Sequence, residues 1–174
     1  MAADKLTLER IELLHPADRK LVKDVYMDVV VPALSGKATC RFTRTLSTFA
    51  EQDALFDIGR KILKDAHGKK LSIVTNAKGG QSFHNYAFAW DIVLIVDSKI
   101  ASWDYKTDFD GDLIPDWMEC VKAFKSIGAE WGGDWKGSLM DRPHFQISHG
   151  YTWKQLLEKY NAGDFIPGTK YVNI

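Results

Sequence analysis

The sequence predicts an α+β fold, a small antiparallel sheet with flanking helices, and three observations carry that expectation. Helical and strand signals are mixed without the regular strand–helix–strand alternation of a parallel sheet. The turn Asp97-Ser98-Lys99 joins two apolar segments closely enough for antiparallel pairing. At 174 residues, 45% of them hydrophobic, the chain can bury one core without disulfide staples.

The elements run in chain order. Pro16 opens a helix over Ala17 to Val31, with Leu21, Val22, Val25, Tyr26 and Val29 on one face and Pro32 as its stop. Cys40 to Leu46 alternates loosely, as a short strand does. Thr48 and Glu51 form a capping box ahead of a helix with Leu55, Ile58, Ile62 and Leu63 inward, ended by Gly68. Leu71 to Thr75 is a strand candidate, and Asn76-Ala77-Lys78-Gly79-Gly80 is a loop by composition. Ala89 to Val96, apolar and β-branched, is the strongest strand, and Ile100 to Tyr105 pairs back on it. Asp116 and Glu119 box the start of a helix that runs to Ile127, with Gly128 past its end. His144 to Ser148 is a short strand, and Thr152 to Asn161 is a last helix closed by Gly163. No repeat, linker or change of composition divides the chain, so a single domain over 1–174 is expected.

Charge narrows the function classes. Lys plus Arg and Asp plus Glu number 23 each, and no basic stripe stands out, so a nucleic-acid partner is not expected. The first ten residues lack an apolar signal region, and no stretch approaches the roughly 20 apolar residues of a membrane span. Synthesis in the cytoplasm without a signal peptide is the expectation, with no membrane partner and a monomeric protein. Cys40 and Cys120 read as buried thiols, since neither has the close spacing of a metal knuckle.

The chemistry lies in His84, Asp91 and His144, with Asp141 three residues ahead of the last. Two imidazoles and a carboxylate give zinc three protein ligands and leave a fourth position open, the arrangement of hydrolytic sites. Asp91 opens a buried strand, where a carboxylate is costly unless a cation meets it. His144 and Gln146 fall on the same side of their strand. The same donor set serves non-haem iron oxygenases, so iron stays open as a minor reading.

The motifs Ser-x-His at 82–84, Ala-x-Asp at 89–91, Glu-Trp-Gly-Gly-Asp-Trp at 130–135 and Asp-x-Pro-His-Phe-Gln at 141–146 resemble the zinc peptidases of bacterial cell walls. That family comprises D-alanyl-D-alanine carboxypeptidases and dipeptidases and L-alanyl-D-glutamate endopeptidases, and the phage endolysin branch is the most similar. The resemblance covers 10–150 and leaves a C-terminal helix and tail over 151–174. It implies a peptidase fold of the D-Ala-D-Ala carboxypeptidase type, with His84, Asp91 and His144 binding zinc and Asp141 as the catalytic carboxylate. Ser82, Gln52 and Arg60 become candidate substrate-binding residues, and the peptidoglycan stem peptide becomes the substrate. Cleavage of L-alanyl-D-glutamate bonds in endolysin-like lysis is the first expectation, acting on the wall after release from the cell. A D-alanyl-D-alanine carboxypeptidase, or a non-catalytic descendant that binds wall peptides, is the alternative. Glu130 is the rival to Asp141 as base.

The chain departs from the family twice. Related sequences carry Arg at the place of Ser47, where it holds substrate or transition-state charge; losing it is worth on the order of 2–4 kcal/mol. If Cys40 to Ser47 is extended, Arg41 shares the parity of position 47 and Arg44 faces the other way. Arg142 and Arg60 are then the candidates for that charge. Ala87 stands where the family has Gly, which raises the question of a positive φ.

A second metal pattern lies in Thr107–Glu119. Asp108, Asp110, Asp112, Asp116 and Glu119 occupy positions 1, 3, 5, 9 and 12 of an EF-hand-type loop, with the Ile114 carbonyl at position 7. Calcium is the candidate cation, and Leu113 is the defect, because position 6 normally needs Gly. Trp90, Trp103, Trp131 and Trp135 cluster near the proposed site, as core or as a grip for a sugar–peptide polymer.

Overall fold

The computed structural model describes residues 3–174. In chain order it contains α1 (Lys5–Ile11), α2 (Pro16–Val25), a π-helical turn (Tyr26–Val30), α3 (Val31–Ala33), β1 (Ala38–Arg44) and α4 (Phe49–Asp57). A short 3-10 turn (Phe83–Tyr86), β2 (Ala89–Val96), β3 (Ile100–Ser102), α5 (Asp116–Ser126), β4 (Glu130–Trp131), two further 3-10 turns, β5 (His144–Gln146) and α6 (Trp153–Asn161) complete it. All strand pairings are antiparallel. β2 is the axis: β1 lies along one edge, β3 and β5 share the other, and β4 continues beyond β5.

Alternation along these strands separates a core face from a site face. Trp90 of β2 lies between Phe42 and Phe145, each with ring centroids 5.9 Å away and planes 11° apart. Phe124 of α5 meets all three edge-on at 5.8, 5.4 and 5.1 Å. Such pairs add about 0.5–1.5 kcal/mol each beyond the area they bury. Because successive side chains alternate, Asp91 and His144, next to Trp90 and Phe145, project from the opposite face. The core that seats α5 therefore also orients the polar face.

The structure departs from the expected elements where backbone geometry overrides periodicity. The helix from Pro16 does not stop before Pro32. It widens into the π turn, where the Val31 amide donates to the Tyr26 carbonyl, and a last turn carries Pro32. A proline lacks the amide of a regular helical bond, and a wider turn accommodates it. The wider turn also shifts phase, so that Val30 is buried and Val29 exposed; ahead of it Val22, Val25 and Tyr26 are buried and Leu21 is exposed.

The Thr48–Glu51 capping box forms, but its helix ends at Asp57 rather than near Gly68. Gly59 has φ +76°, and a Cβ there would lie 2.4 Å from the Ile73 amide nitrogen, so the chain turns where the 72–73 backbone crosses it. Ile62 and Leu63 are consequently exposed. Leu71 to Thr75 forms no strand. Asp116 and Glu119 do not box α5, whose N-cap, Pro115, has no side-chain cap. Helix α1, which the hydrophobic pattern does not announce, is capped by the Asp4 carboxylate on the Thr7 amide. Asp97 and Ser98 both have positive φ, 48° and 61°, the backbone a tight hairpin between β2 and β3 requires.

Candidate metal centre

Three segments converge on the site face. The 3-10 turn carries His84, β2 carries Asp91 and β5 carries His144, which sits directly across the sheet from Asp91. His84 Nε2, Asp91 Oδ1 and His144 Nδ1 form a triangle with sides of 3.1, 3.1 and 3.2 Å. A tetrahedral ion with bonds of about 2.0 Å sets its ligand atoms roughly 3.3 Å apart. The triangle is thus close to one face of a zinc tetrahedron.

The outer bonds fix which nitrogen each ring presents. His84 Nδ1 lies 2.7 Å from the Thr45 carbonyl, an acceptor only, so that nitrogen carries the proton and Nε2 is left with its lone pair. His144 Nε2 lies 3.0 Å from Gln146 Oε1, while the Gln146 amide donates to Glu130 Oε2 at 3.2 Å, so His144 offers Nδ1. Two lone pairs and a carboxylate oxygen therefore face one another in a buried spot, where a shared cation relieves their repulsion. Both imidazoles are buried, at 2% and 7% exposure. Burial pulls the His84 pKa down. These residues fit a divalent ion with nitrogen and oxygen ligands.

The triangle opens into a cleft of about 430 Å³ lined by Asp141, Arg44, Gln52, Ser82, Trp103 and Trp135, among others. Asp141 is held by its backbone: its amide donates to the Gly132 carbonyl at 2.9 Å, and its carbonyl accepts from the His144 amide at 3.1 Å. A Cβ on Gly132 would lie 2.3 Å from the Asp141 carbonyl oxygen, which explains the glycine in Glu-Trp-Gly-Gly-Asp-Trp. Desolvation and the charge of Asp91 push the Asp141 pKa up.

The other candidates have distinct places. Ser82 lines the cleft and caps the turn that carries His84, its hydroxyl accepting from the His84 amide at 3.3 Å. Gln52 is buried; its oxygen accepts from Arg44 at 2.6 Å and its amide donates to the Ala77 carbonyl at 2.8 Å, so it braces the cleft wall. Arg60 is not among the cleft-lining residues: its guanidinium bonds the Phe56 and Thr75 carbonyls and lies 3.9 Å over the Phe56 ring. Arg142 is likewise turned away, over Tyr105. Glu130 faces the Gln146 side rather than the main cleft.

The two arginines of β1 do not face as strict alternation assigns. Arg41 pairs with Asp4 at 2.7 Å, away from the site. Arg44 does not face the other way. The β1–β2 register slips at Thr43, so Phe42 opposes Ile92 but Arg44 opposes Asp91. A bulge inserts one residue and inverts the parity of the residues after it. A guanidinium therefore lines the cleft although position 47 is Ser. Ala87 does occupy a positive φ, 64°, at the end of the turn that carries His84, a backbone that costs a non-glycine residue roughly 1–2 kcal/mol.

In the acidic loop, ligand oxygens of Asp108, Asp110 and Asp116 lie within 4.8 Å of one another. Asp112 and Glu119 are not part of that group among the described residues. Asp112 Oδ1 instead accepts from the Ile114 amide at 2.7 Å. Asp116 is fully buried; Oδ2 accepts from the Phe109 amide at 2.7 Å, and Oδ1 has no hydrogen-bond partner among the described residues. Leu113 takes φ +79°, the backbone normally given to glycine at that position, with its side chain 91% exposed. Trp90 and Trp131 are core, whereas Trp103 and Trp135 line the cleft, Trp135 with its ring 5.2 Å from His144. No helix among the described residues is long and apolar enough to cross a membrane.

Comparison with known proteins adds two findings. Residues 75–147 match the family model described as D-alanyl-D-alanine carboxypeptidase. The peptidoglycan L-alanyl-D-glutamate endopeptidase CwlK of Bacillus subtilis (strain 168) is 40% identical over 105 residues, which are 60% of this chain and 58% of that protein. The chain therefore spans less than two thirds of the length of this curated relative.

Proposed function

We propose that this chain, whose residues 75–147 match the family model described as D-alanyl-D-alanine carboxypeptidase, is a zinc-dependent peptidoglycan peptidase that hydrolyses the L-alanyl-D-glutamate bond of stem peptides in endolysin-like wall lysis. The observation that carries this reading is the triangle of His84 Nε2, Asp91 Oδ1 and His144 Nδ1 at the floor of an open cleft. Zinc held there supplies Lewis-acid polarisation of a carbonyl and a water of lowered pKa. Thr45 and Gln146 hold the two rings in the tautomers that leave those nitrogens free. Asp141 takes a proton from the attacking water and delivers it to the departing amine. Trp103 and Trp135 offer apolar faces to the polymer along the cleft.

Mass spectrometry of the peptides released from purified walls tests this directly. New N-terminal glutamate is expected. Release of terminal D-alanine alone would instead favour the carboxypeptidase, and binding without any new terminus the non-catalytic reading.

We further propose that calcium occupies the 108–119 loop, supported by the buried Asp116 Oδ1, which has no partner among the described residues, beside Asp108 and Asp110. Burial, followed by the charges of Asp112, Asp110, Asp116 and Asp108, pushes Glu119 up to about 7. A carboxyl whose folded pKa is raised stabilises below its unfolded value, and that stability is lost as pH rises through the folded pKa. In chelator, the midpoint of thermal unfolding is therefore expected to fall between about pH 4.5 and pH 7 through this group. Added calcium should raise the midpoint more at pH 7 than at pH 5, and Asp116→Asn should abolish the increment. An unfolding midpoint indifferent to calcium at pH 7 would reject the loop as a calcium site.

A further inference from the structure

The cleft contains one feature that zinc chemistry does not use. Arg44 is half-buried in its wall, with Nε donating to Ser47 Oγ at 2.7 Å and one terminal nitrogen donating to Gln52 Oε1 at 2.6 Å. Both partners are neutral. Arg44 takes part in no ion pair among the described residues, although Asp91 stands across the strand pair from it. Its second terminal nitrogen donates to no protein group among the described residues. The carboxylates of Asp91, Glu51 and Asp141 lie near enough to act on this guanidinium, but none forms an ion pair with it among the described residues, so its neutral acceptors leave one edge free for an anion from outside.

The brace is rigid. Ser47 is buried, and its amide donates to the His84 carbonyl at 3.0 Å, while the Thr45 carbonyl accepts from His84 Nδ1. Residues 44–47 thus aim the arginine and seat a metal ligand in one stroke. The bulge at Thr43 brings the side chain onto this face.

We propose that Arg44, positioned by Ser47 and Gln52, binds the free carboxylate of the residue on the amine side of the scissile bond and so determines specificity. This rests on the peptidase reading above. A glutamyl residue acylated on nitrogen and joined onward through one carboxyl keeps its other carboxyl free, a few bonds from the amide that is cut. A guanidinium on the wall next to the metal triangle is at hand for that group, and the planar fork matches a carboxylate better than its amide.

The test compares two synthetic L-alanyl-D-glutamyl stem peptides, one with the free glutamyl carboxylate and one with the carboxamide in its place. Binding by titration calorimetry and turnover are measured for the zinc-loaded wild type, Arg44→Gln, Arg44→Lys and Ser47→Ala. The wild type should prefer the carboxylate peptide by about 10- to 100-fold, mostly in KM. Arg44→Gln should lose that preference with zinc content unchanged, Arg44→Lys should recover part of it, and Ser47→Ala should weaken the carboxylate peptide more than the carboxamide peptide. Equal use of both peptides by the wild type, or an equal loss on both in Arg44→Gln, would overturn the assignment while leaving the peptidase intact. Preferential binding of the carboxylate peptide without turnover of either would do the reverse.

Discussion

Asp141→Ala is expected to slow wall-peptide hydrolysis by about 10²- to 10⁴-fold, the range of a general acid–base group, while zinc content and thermal stability stay at wild-type values. The separation of effects comes from how the residue is held. Its amide and carbonyl lock it to Gly132 and His144, but no hydrogen bond among the described residues uses its carboxylate. Removing that carboxylate deletes a proton acceptor and leaves the frame in place. Turnover on defined stem peptides, read beside metal content, checks this. Unchanged turnover would remove Asp141 from the reaction, and joint loss of zinc and turnover would make its role structural.

The second large effect is expected from the metal ligands. His144→Ala deletes one of three donors, so zinc affinity should fall by at least about 10²-fold, and hydrolysis should drop to background. A ligand bound only by the folded state stabilises it by about 4 kcal/mol at a thousandfold excess over its dissociation constant. Zinc should therefore raise the unfolding midpoint of the wild type and not that of His144→Ala. Gln146→Ala gives a graded control, because Gln146 only holds the His144 ring through its 3.0 Å contact; a 10- to 100-fold loss of zinc affinity is typical for such a partner. If His144→Ala keeps full zinc affinity, the ion sits elsewhere.

Much of this arrangement is legible in the sequence, for reasons that can be named. The run Ala89–Val96 reads as a strand because its residues are apolar and branched, and its central place in the sheet agrees with that burial. His84, Asp91 and His144 are picked out by donor chemistry and by resemblance, and the structure brings their donor atoms together. Pattern reading misses backbone irregularity. The apolar spacing of Ile58, Ile62 and Leu63 imitates a helix face, but the left-handed turn at Gly59 breaks it. The π turn before Pro32 moves the buried position from Val29 to Val30. The slip at Thr43 reverses the facing of Arg44, which strict alternation assigns to the wrong side. An inserted residue leaves no mark on hydrophobic periodicity, so the arginine of the cleft appears only in three dimensions.

X-ray absorption at the zinc edge, on protein loaded with one equivalent of zinc, probes the metal centre itself. Two imidazole nitrogens with oxygen donors at about 2.0 Å are the expected shell, lost in His144→Ala. A shell containing sulfur at about 2.3 Å, as thiolates of Cys40 or Cys120 would give, or a protein that takes up iron and excludes zinc, would contradict it.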